Sequence, residues 1–347
     1  MTAGNARPAL SVSNLTKAYS RGTSWLSRHT TSGPATLIAL DGVDLELREG
    51  EILALVGESG SGKSTLAKIL VGGLAPSSGT VTHRDDNAPA RWSRESSRRV
   101  QMIFQDPYAS LNPRMPVGRM LAELLLVHRV VPRPRVRAES IRLLNLVGLE
   151  ENVLDAYPSQ FSGGQRQRLA IARALAVRPD VLIADEPVSA LDVSVQATIL
   201  ELFTRLRVEL GLSILFIAHN LAVVRHLSDR VAVMYLGRIV ELAETGDLFA
   251  HPRHPYTRAL IDSIPRMTEA SVNDAFQLDG EPPSPFDIPT GCRFHPRCPL
   301  AGELCRTVDP PLIQVGPGSS SACLKADQLD VIPPPPTSRP DTSLERA

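Results

Sequence analysis

The stretch Gly57-Glu58-Ser59-Gly60-Ser61-Gly62-Lys63-Ser64 decides the fold, because it has the GxxxxGKS spacing of a phosphate-binding loop, or P-loop. A mostly apolar run at 51–56 precedes it and predicts a buried strand, and apolar residues return at helical spacing after Lys63. Strand, loop and helix in this order are the context in which the motif holds phosphate. The glycines free the backbone to point successive N–H groups at phosphate oxygens.

Individual residues of the P-loop have predicted roles. Lys63 places a positive charge near the β- and γ-phosphates, and Ser64 offers its hydroxyl to Mg²⁺. A glycine-rich turn without a ligand is the alternative, and the complete motif between a strand and a helix disfavours it. The predicted nucleotide contacts of this segment are Gly57, Glu58, Ser59, Gly60, Ser61, Gly62, Lys63, Ser64 and Thr65.

A second apolar strand, predicted at 181–184, ends in two acidic residues. It delivers Asp185 and Glu186 at its C-terminal end, where open α/β sheets bind ligands. Asp185 is predicted to hold Mg²⁺ through its water shell, and Glu186 to orient or deprotonate an attacking water. Adjacent acids after a strand are also typical of a helix N-cap region, but the P-loop upstream favours catalysis.

The motif Ser162-Gly163-Gly164-Gln165 predicts a second anion site. Ser162 is a suitable N-cap for an amphipathic helix predicted at 165–177, and Gly163 and Gly164 let a phosphate approach its first turn. An ordinary capped helix is the alternative for so short a motif. Because the chain also has a P-loop, the Ser-Gly-Gly-Gln motif indicates that one triphosphate uses both sites.

In these motifs the chain resembles the nucleotide-binding subunits of ABC transporters, over roughly residues 10–266. The run 161–168 resembles the family signature, with Phe161 where Leu is commoner. The resemblance implies that Gln105 senses Mg²⁺, that Asp192 closes the D-loop 189–192, and that His219 lies near the γ-phosphate. The catalytic residues it implies are Glu186, His219, Lys63 and Gln105. The Mg²⁺ ligands it implies are Ser64, Gln105 and Asp185.

The resemblance implies an α/β fold. This fold is a P-loop NTPase nucleotide-binding domain of ABC type, with an N-terminal antiparallel β subdomain, a helical subdomain and a C-terminal extension. The predicted boundaries are a disordered N-terminus at 1–8, the nucleotide-binding domain at 9–266 with its helical subdomain at about 106–177, the extension at 267–330, and a proline-rich disordered tail at 331–347.

An aromatic side chain is the predicted contact for the base. Tyr19 closes a strand predicted at 10–18 and matches the position where the family stacks an aromatic ring on adenine. Trp25 is the alternative. It lies in a Ser, Thr and Gly-rich insertion at about 20–36 whose role the sequence leaves open.

Because the chain carries one set of motifs, the resemblance implies a dimer. In this family ATP is held between the P-loop of one subunit and the Ser-Gly-Gly-Gln motif of another, so the partner is a second copy or a paralogue. The resemblance also implies two integral-membrane permease subunits and, indirectly, an extracellular or periplasmic solute-binding protein. The chain would then be peripheral, on the cytoplasmic face of the cell membrane.

Composition narrows the partners further. The 37 Lys and Arg residues balance 37 Asp and Glu residues, and this zero net charge disfavours nucleic acid as the main partner. No segment approaches the ~18 apolar residues of a membrane span, so any pore must come from other chains. The prolines around Arg133, Arg135 and Arg137 predict that these residues lie in a solvated loop between helices.

Three further segments resemble the ATPases of dipeptide and oligopeptide importers. They are residues 106–113, 251–260 and 291–299, and Val188-Ser189 resembles the F-type member of the paired ATPases. The resemblance implies an ATPase that powers peptide import. A related importer of nickel or glutathione, and a soluble ABC ATPase without a transport role, remain alternatives.

All four cysteines lie near the C-terminal end, at Cys292, Cys298, Cys305 and Cys323. Disulfides are disfavoured in a cytosolic chain, so their clustering favours a metal. Some importers of the resembled group carry a [4Fe–4S] cluster in this extension, which implies the four thiolates as its ligands. Zinc bound with the help of His295, and thiols without a ligand, remain alternatives.

Overall fold

The computed structural model describes residues 8–20, 36–84, 96–106, 110–264 and 280–331. Within these ranges the strands form two sheets. The strands are β1 Pro8–Ser20, β2 Thr36–Arg48, β3 Ile52–Val56, β4 Ser78–His83, β5 Val100–Ile103, β6 Val181–Asp185, β7 Ser213–Ala218, β8 Arg230–Tyr235, β9 Arg238–Glu244, β10 Ile313–Gly316 and β11 Ser319–Ser321.

Helices cover both faces of the larger sheet. They are α1 Lys63–Leu70, α2 Ser96–Arg99, α3 Val117–Val127, α4 Val136–Leu146, α5 Gly163–Leu175, α6 Val193–Leu210, α7 Leu221–Leu227, α8 Thr245–Ala250, α9 Pro255–Asp262 and α10 Glu303–Thr307.

The larger sheet has eight strands in the order β10-β11-β9-β8-β3-β7-β6-β5. The strands from β8 to β5 run parallel, and every residue of β3, β6 and β7 is buried. Continuous apolar runs are typical of parallel strands because helices cover both of their faces. The predicted α/β fold is confirmed, and so are the strands predicted near 51–56 and 181–184.

The smaller sheet is antiparallel, in the order β2-β1-β4, and forms the N-terminal β subdomain. Leu53 and Leu55 of β3 pack with this sheet and with α1 in one hydrophobic core. Ile52, Ala54 and Val56 belong to a second core with the helices of the opposite face. Because side chains alternate along a strand, β3 connects the two cores.

Helices α3 and α4 pack on each other and on α5, within the segment predicted as the helical subdomain. The loop predicted around Arg133, Arg135 and Arg137 is partly wrong. Residues Arg133–Arg135 form a 3₁₀ turn that leads directly into α4, so Arg137 lies in a helix. Proline is tolerated at the start of a helix, where its missing N–H would have no partner. The three arginine side chains are exposed, as expected.

The C-terminal segment extends the larger sheet. β11 pairs with β9 and β10 pairs with β11, all antiparallel. The predicted boundary at 266 lies outside the described residues, as do Trp25, most of the 20–36 insertion, residues 1–7, residues 107–109 and the tail from 332. In the ranges that the structure covers, no helix combines the length and apolar character needed to cross a bilayer.

A buried ion pair links the starts of β3 and β8, and it generates the first prediction. Arg230 Nη1 lies 3.1 Å from Glu51 Oε1, and the two side chains are 9% and 5% exposed. We expect Arg230→Met to lower the free energy of unfolding by about 3 kcal/mol, because it leaves a buried carboxylate without its cation. Urea denaturation measures this loss.

The exposed pair between Arg137 and Glu151 supplies the control for this prediction. Its side chains are 69% and 52% exposed, so Arg137→Ala should change the unfolding free energy by no more than about 0.5 kcal/mol. Adding Glu51→Gln to Arg230→Met should recover most of the lost stability. Equal losses from the buried and the exposed variants would contradict the structural role of the buried pair.

Candidate active site

The P-loop connects β3 to α1, and two of its glycines are sterically required. Gly57 and Gly62 have φ values of 153° and 111°. A Cβ atom on Gly57 would lie 2.2 Å from the carbonyl oxygen of Met234, and one on Gly62 would lie 2.5 Å from that of Ala39. No side chain fits at either position, so glycine allows the loop to pass close to the neighbouring backbone.

Lys63 is buried inside the loop. Its Nζ donates hydrogen bonds to the carbonyl oxygens of Gly57 at 2.7 Å and Glu58 at 2.8 Å. Burial lowers the pKa of the Lys63 ammonium, and the charges of Glu186, Asp185 and Glu58 oppose this shift. The ammonium therefore points its donors into the loop, where phosphate oxygens would compete for them.

Asp185 and Ser64 present adjacent oxygen atoms at the end of β6. Ser64 Oγ donates to Asp185 Oδ1 at 3.3 Å. Burial raises the pKa of the Asp185 carboxyl, and the charge of Glu186 acts in the same direction. A hydroxyl beside a carboxylate is the hard oxygen ligand set that Mg²⁺ prefers.

Three of the predicted catalytic residues converge on one carboxylate oxygen. Gln105 Nε2 donates to Glu186 Oε2 at 3.1 Å, and His219 Nδ1 lies 3.5 Å from the same atom. Glu186 has a positive φ of 46°, and its N–H donates to the carbonyl oxygen of Ile217. This backbone conformation is unusual for glutamate and sets the direction of its side chain.

These residues surround a cavity of about 550 Å³. Tyr19 lies at its border with a 40% exposed side chain, and the ring stands 5.1 Å from the Lys17 ammonium. An exposed aromatic face of this kind can stack on a flat base. The cavity is lined by Tyr19, Leu37, Ala39, Ser59, Gly60, Gly62, Lys63, Ser64, Thr65, Gln105, Glu186, His219 and Pro285.

The second predicted anion site lies apart from this cavity. Neither the motif 162–165 nor Asp192 is among the residues that line it. Ser162 Oγ accepts the N–H of Gln165 at 3.3 Å, and Gln165 Oε1 accepts the N–H of Ser162 at 3.0 Å, which forms a capping box at the start of α5. Ser162, Gly163 and Gln165 are exposed, so this end of the helix faces outward.

Two residues to which the sequence assigned no role at the P-loop also contact it. Tyr256 Oη accepts the N–H of Glu58 at 2.8 Å, and Arg297 binds the Glu58 carboxylate through two nitrogens, at 2.7 Å and 3.0 Å. Arg297 is 239 positions from Glu58. Two residues so far apart in the sequence leave no periodic or local motif that would reveal their contact.

The four cysteines line one small cavity in the C-terminal segment, together with His295. Burial raises the pKa of the Cys298 thiol to about 11 and that of Cys323 to about 12, and the neighbouring thiols act in the same direction. Among the described residues, no group of three or more His, Cys, Asp or Glu side chains is arranged around a single metal ion.

A P-loop, acidic residues on an adjacent strand and a separate antiparallel sheet define an ATP-binding cassette, a class of nucleotide-hydrolysing domain. Known sequence families agree with this class. The family described as ABC transporter matches residues 40–189. The family described as the C-terminal region of oligopeptide/dipeptide transporters matches residues 240–305. The chain belongs to the ATP-binding proteins of ABC transporters, in the oligopeptide and dipeptide group, and is an ATPase of this type.

The alignments with similar proteins cover most of the chain. A putative oligopeptide transport ATP-binding protein, YkfD of Bacillus subtilis, is 47% identical over 308 residues, which cover 86% of this chain and 93% of YkfD. The dipeptide transport ATP-binding protein DppF of Haemophilus influenzae is 46% identical over 297 residues, which cover 85% of this chain and 91% of DppF. The family resemblance is confirmed.

Solved structures of ABC cassettes share the fold. The cbiO1 subunit of a Clostridium perfringens ABC transporter complex has a TM-score of 0.60 at 31% identity, covering 70% of this chain and 91% of its own. The cassette MJ0796, solved as a dimer bound to ADP and phosphate, has a TM-score of 0.57 at 29% identity, covering 68% of this chain and 98% of its own.

The glycine geometry of the P-loop generates the second prediction. We expect Gly62→Ala to lower the melting temperature of the protein without nucleotide more than Gly60→Ala does. Both residues have positive φ, which costs an alanine roughly 1–2 kcal/mol, but only at Gly62 would the new Cβ meet a backbone oxygen. Thermal unfolding followed by circular dichroism measures the difference, and equal losses would contradict the close approach.

Proposed function

We propose that this ATPase powers the import of peptides through a separate membrane permease. One observation supports the proposed hydrolysis of ATP. Gln105 and His219 both contact the same carboxylate oxygen of Glu186, and all three residues line the P-loop cavity. The peptide assignment is supported by the match of residues 240–305 to the oligopeptide and dipeptide group, and by the peptide transport names of relatives 44–48% identical.

In the proposed mechanism the triphosphate binds along the P-loop. Lys63 exchanges its hydrogen bonds to loop carbonyls for phosphate oxygens, which keeps its buried charge satisfied. Mg²⁺ would be held by Ser64 and Gln105 directly and by Asp185 through water, and it would neutralise charge on the phosphates. Tyr19 stacks on the adenine.

Glu186 is the proposed base for the attacking water. Its carboxylate lies on the cavity side of the sheet, and its hydrogen bond from Gln105 and its contact with His219 hold it there. A carboxylate in this position can accept a proton as the water attacks the γ-phosphate, and His219 can stabilise the charge that develops. Gln105 precedes the helical subdomain, so it can report the state of the site to a permease.

The proposed working unit is a dimer of nucleotide-binding subunits, either two copies or this chain with a paralogue. This is supported by the outward-facing Ser162–Gln165 motif, which lies outside the cavity of its own chain. In a head-to-tail pair, Ser162, Gly163, Gly164 and Gln165 would cover the triphosphate bound to the partner's P-loop, and Asp192 would lie at the interface.

The remaining proposed partners are two integral-membrane permease subunits and, indirectly, a solute-binding protein outside the membrane. The chain would act as a peripheral subunit on the cytoplasmic face of the cell membrane. Peptide is the proposed solute class. The permease and the solute-binding protein would select the individual peptide.

We further propose that Cys292, Cys298, Cys305 and Cys323 hold a [4Fe–4S] cluster. Four thiols at one cavity are a complete donor set, and backbone N–H groups point at the sulfurs of Cys292, Cys298 and Cys323. Each cysteine of such a site binds a different iron, so the sulfurs need not converge on one point.

A cluster at this site would supply a covalent link between three segments of the C-terminal region. The volume of the cavity is only about 10 Å³, which is enough for one water molecule. The cysteine side chains would therefore have to move apart to make room for the cluster. The arrangement gives less support to zinc, because no three ligands surround a single point within the described residues.

Replacement of Glu186 by glutamine tests its role as the base. We expect Glu186→Gln to bind Mg-ATP with near wild-type affinity, to lose at least ~100-fold in hydrolysis, and to accumulate as an ATP-bound dimer, because the amide cannot accept the proton. Phosphate release and size-exclusion chromatography with ATP measure these effects. Lys63→Ala serves as the comparison and should lose nucleotide binding itself. Substantial hydrolysis by Glu186→Gln would show that another group is the base.

Anaerobic purification tests whether the four thiols hold a cluster. Protein purified without oxygen should be brown and contain iron and acid-labile sulfide in equal amounts, because a [4Fe–4S] cluster holds both in that ratio. Cys298→Ser should lose most of the iron, whereas His295→Ala should keep it. Colourless, iron-free protein would refute the cluster. Zinc that is present in the wild-type protein and lost in His295→Ala would favour the zinc site instead.

A further inference from the structure

The cysteine-rich loop 292–298 lies directly against the P-loop. Arg297 Nη1 donates to Glu58 Oε2 at 2.7 Å, and Nη2 donates to Oε1 at 3.0 Å. The Arg297 side chain is 5% exposed and that of Glu58 is 24% exposed. A bidentate, largely buried ion pair of this kind fixes both the relative direction of the two side chains and the distance between them.

The backbone of Glu58 is held from the same side. Its N–H donates to Tyr256 Oη at 2.8 Å, and Arg297 Nη1 also lies 3.5 Å from Tyr235 Oη. The C-terminal part of the chain therefore holds the second residue of the P-loop at two points, the side chain and the amide. Neither contact depends on the residues that line the nucleotide cavity.

A cluster of aromatic rings keeps these donors in place. The ring centroids of Tyr235 and Tyr256 lie 4.7 Å apart, and Phe294 lies 5.4 Å and 5.5 Å from them. All three rings are almost completely buried. Because Phe294 and Arg297 belong to one short loop, packing of the first residue positions the second.

We propose that Arg297, together with Tyr256, is a positioning residue of the nucleotide site. Lys63 Nζ donates to the carbonyl oxygen of Glu58 at 2.8 Å. In the proposed function, on which this inference rests, the ammonium turns to a phosphate and this bond is lost. Arg297 and Tyr256 then keep Glu58 in place, so the loop stays shaped for the phosphate. Arg297 also neutralises a carboxylate that would otherwise repel the anion.

A double-mutant cycle on Glu58 and Arg297 tests this proposal. We expect Arg297→Ala to weaken ATP binding roughly 10-fold, the loss for one charged hydrogen-bonded pair, and to raise KM while kcat at saturating ATP stays near wild type. In a Glu58→Ala background, Arg297→Ala should cause little further loss, because its partner is already gone. Titration with a fluorescent ATP analogue gives the four affinities.

Arg293 is the matched control. It lies on the same loop and is equally buried, but it binds Asp41 and the carbonyl oxygen of Leu236, outside the P-loop. Arg293→Ala should lower thermal stability and leave the ATP affinity within about 2-fold of wild type. An Arg297→Ala variant with unchanged affinity would overturn the proposal. So would an Arg293→Ala variant that binds ATP as weakly as Arg297→Ala.

Tyr256→Phe keeps the test decisive if Arg297→Ala does not fold. This change removes only the acceptor of the Glu58 N–H and keeps the buried ring. We expect several-fold weaker ATP binding with a melting temperature close to wild type. Arg297→Lys keeps the charge but loses the bidentate geometry, so its ATP affinity should lie between those of wild type and Arg297→Ala. Wild-type affinity in both variants would overturn the proposal.

Discussion

The parallel pairing of β3, β7 and β6 is the constraint on which the site depends. In this register Val56, Ala218 and Asp185 reach the same edge of the sheet, so the segments that follow them emerge side by side. The P-loop follows β3, the acidic pair ends β6, and His219 follows β7. The predicted catalytic residues are far apart in sequence but therefore lie close together in space, as expected at the carboxyl edge of an open α/β sheet.

The charged side chains at this edge have hydrogen-bond partners at short range. Lys63 is buried but donates into the P-loop, Asp185 is buried beside the Ser64 hydroxyl, and Glu58 is paired with Arg297. A buried charge without a partner is costly, so each of these groups is fixed in direction by the contact that satisfies it. A nucleotide and its metal ion would exchange partners with groups that are already oriented, which reduces the reorganisation needed on binding.

Much of this arrangement could be predicted from the sequence, because local rules govern it. The fully apolar strands, the glycine spacing of the P-loop and the Ser162 cap each leave a pattern of a few residues. The loop expected at Arg137 was wrong because proline permits a helix to begin as readily as it permits a loop. Arg297 and Tyr256 could not be predicted, since their contact with Glu58 depends on how the C-terminal segment packs on the sheet. The roles assigned to the individual site residues stay predictions.

The pairing of Glu58 with Arg297 also has a consequence for biosynthesis. The P-loop leaves the ribosome 239 residues before the arginine that holds it. At ordinary rates of translation this interval is about 10–50 s, during which the N-terminal part of the nascent chain can already begin to fold. The nascent subunit thus carries the P-loop before its support exists. A chain terminated before Arg297 would retain the complete P-loop motif and lack the arginine that orients Glu58.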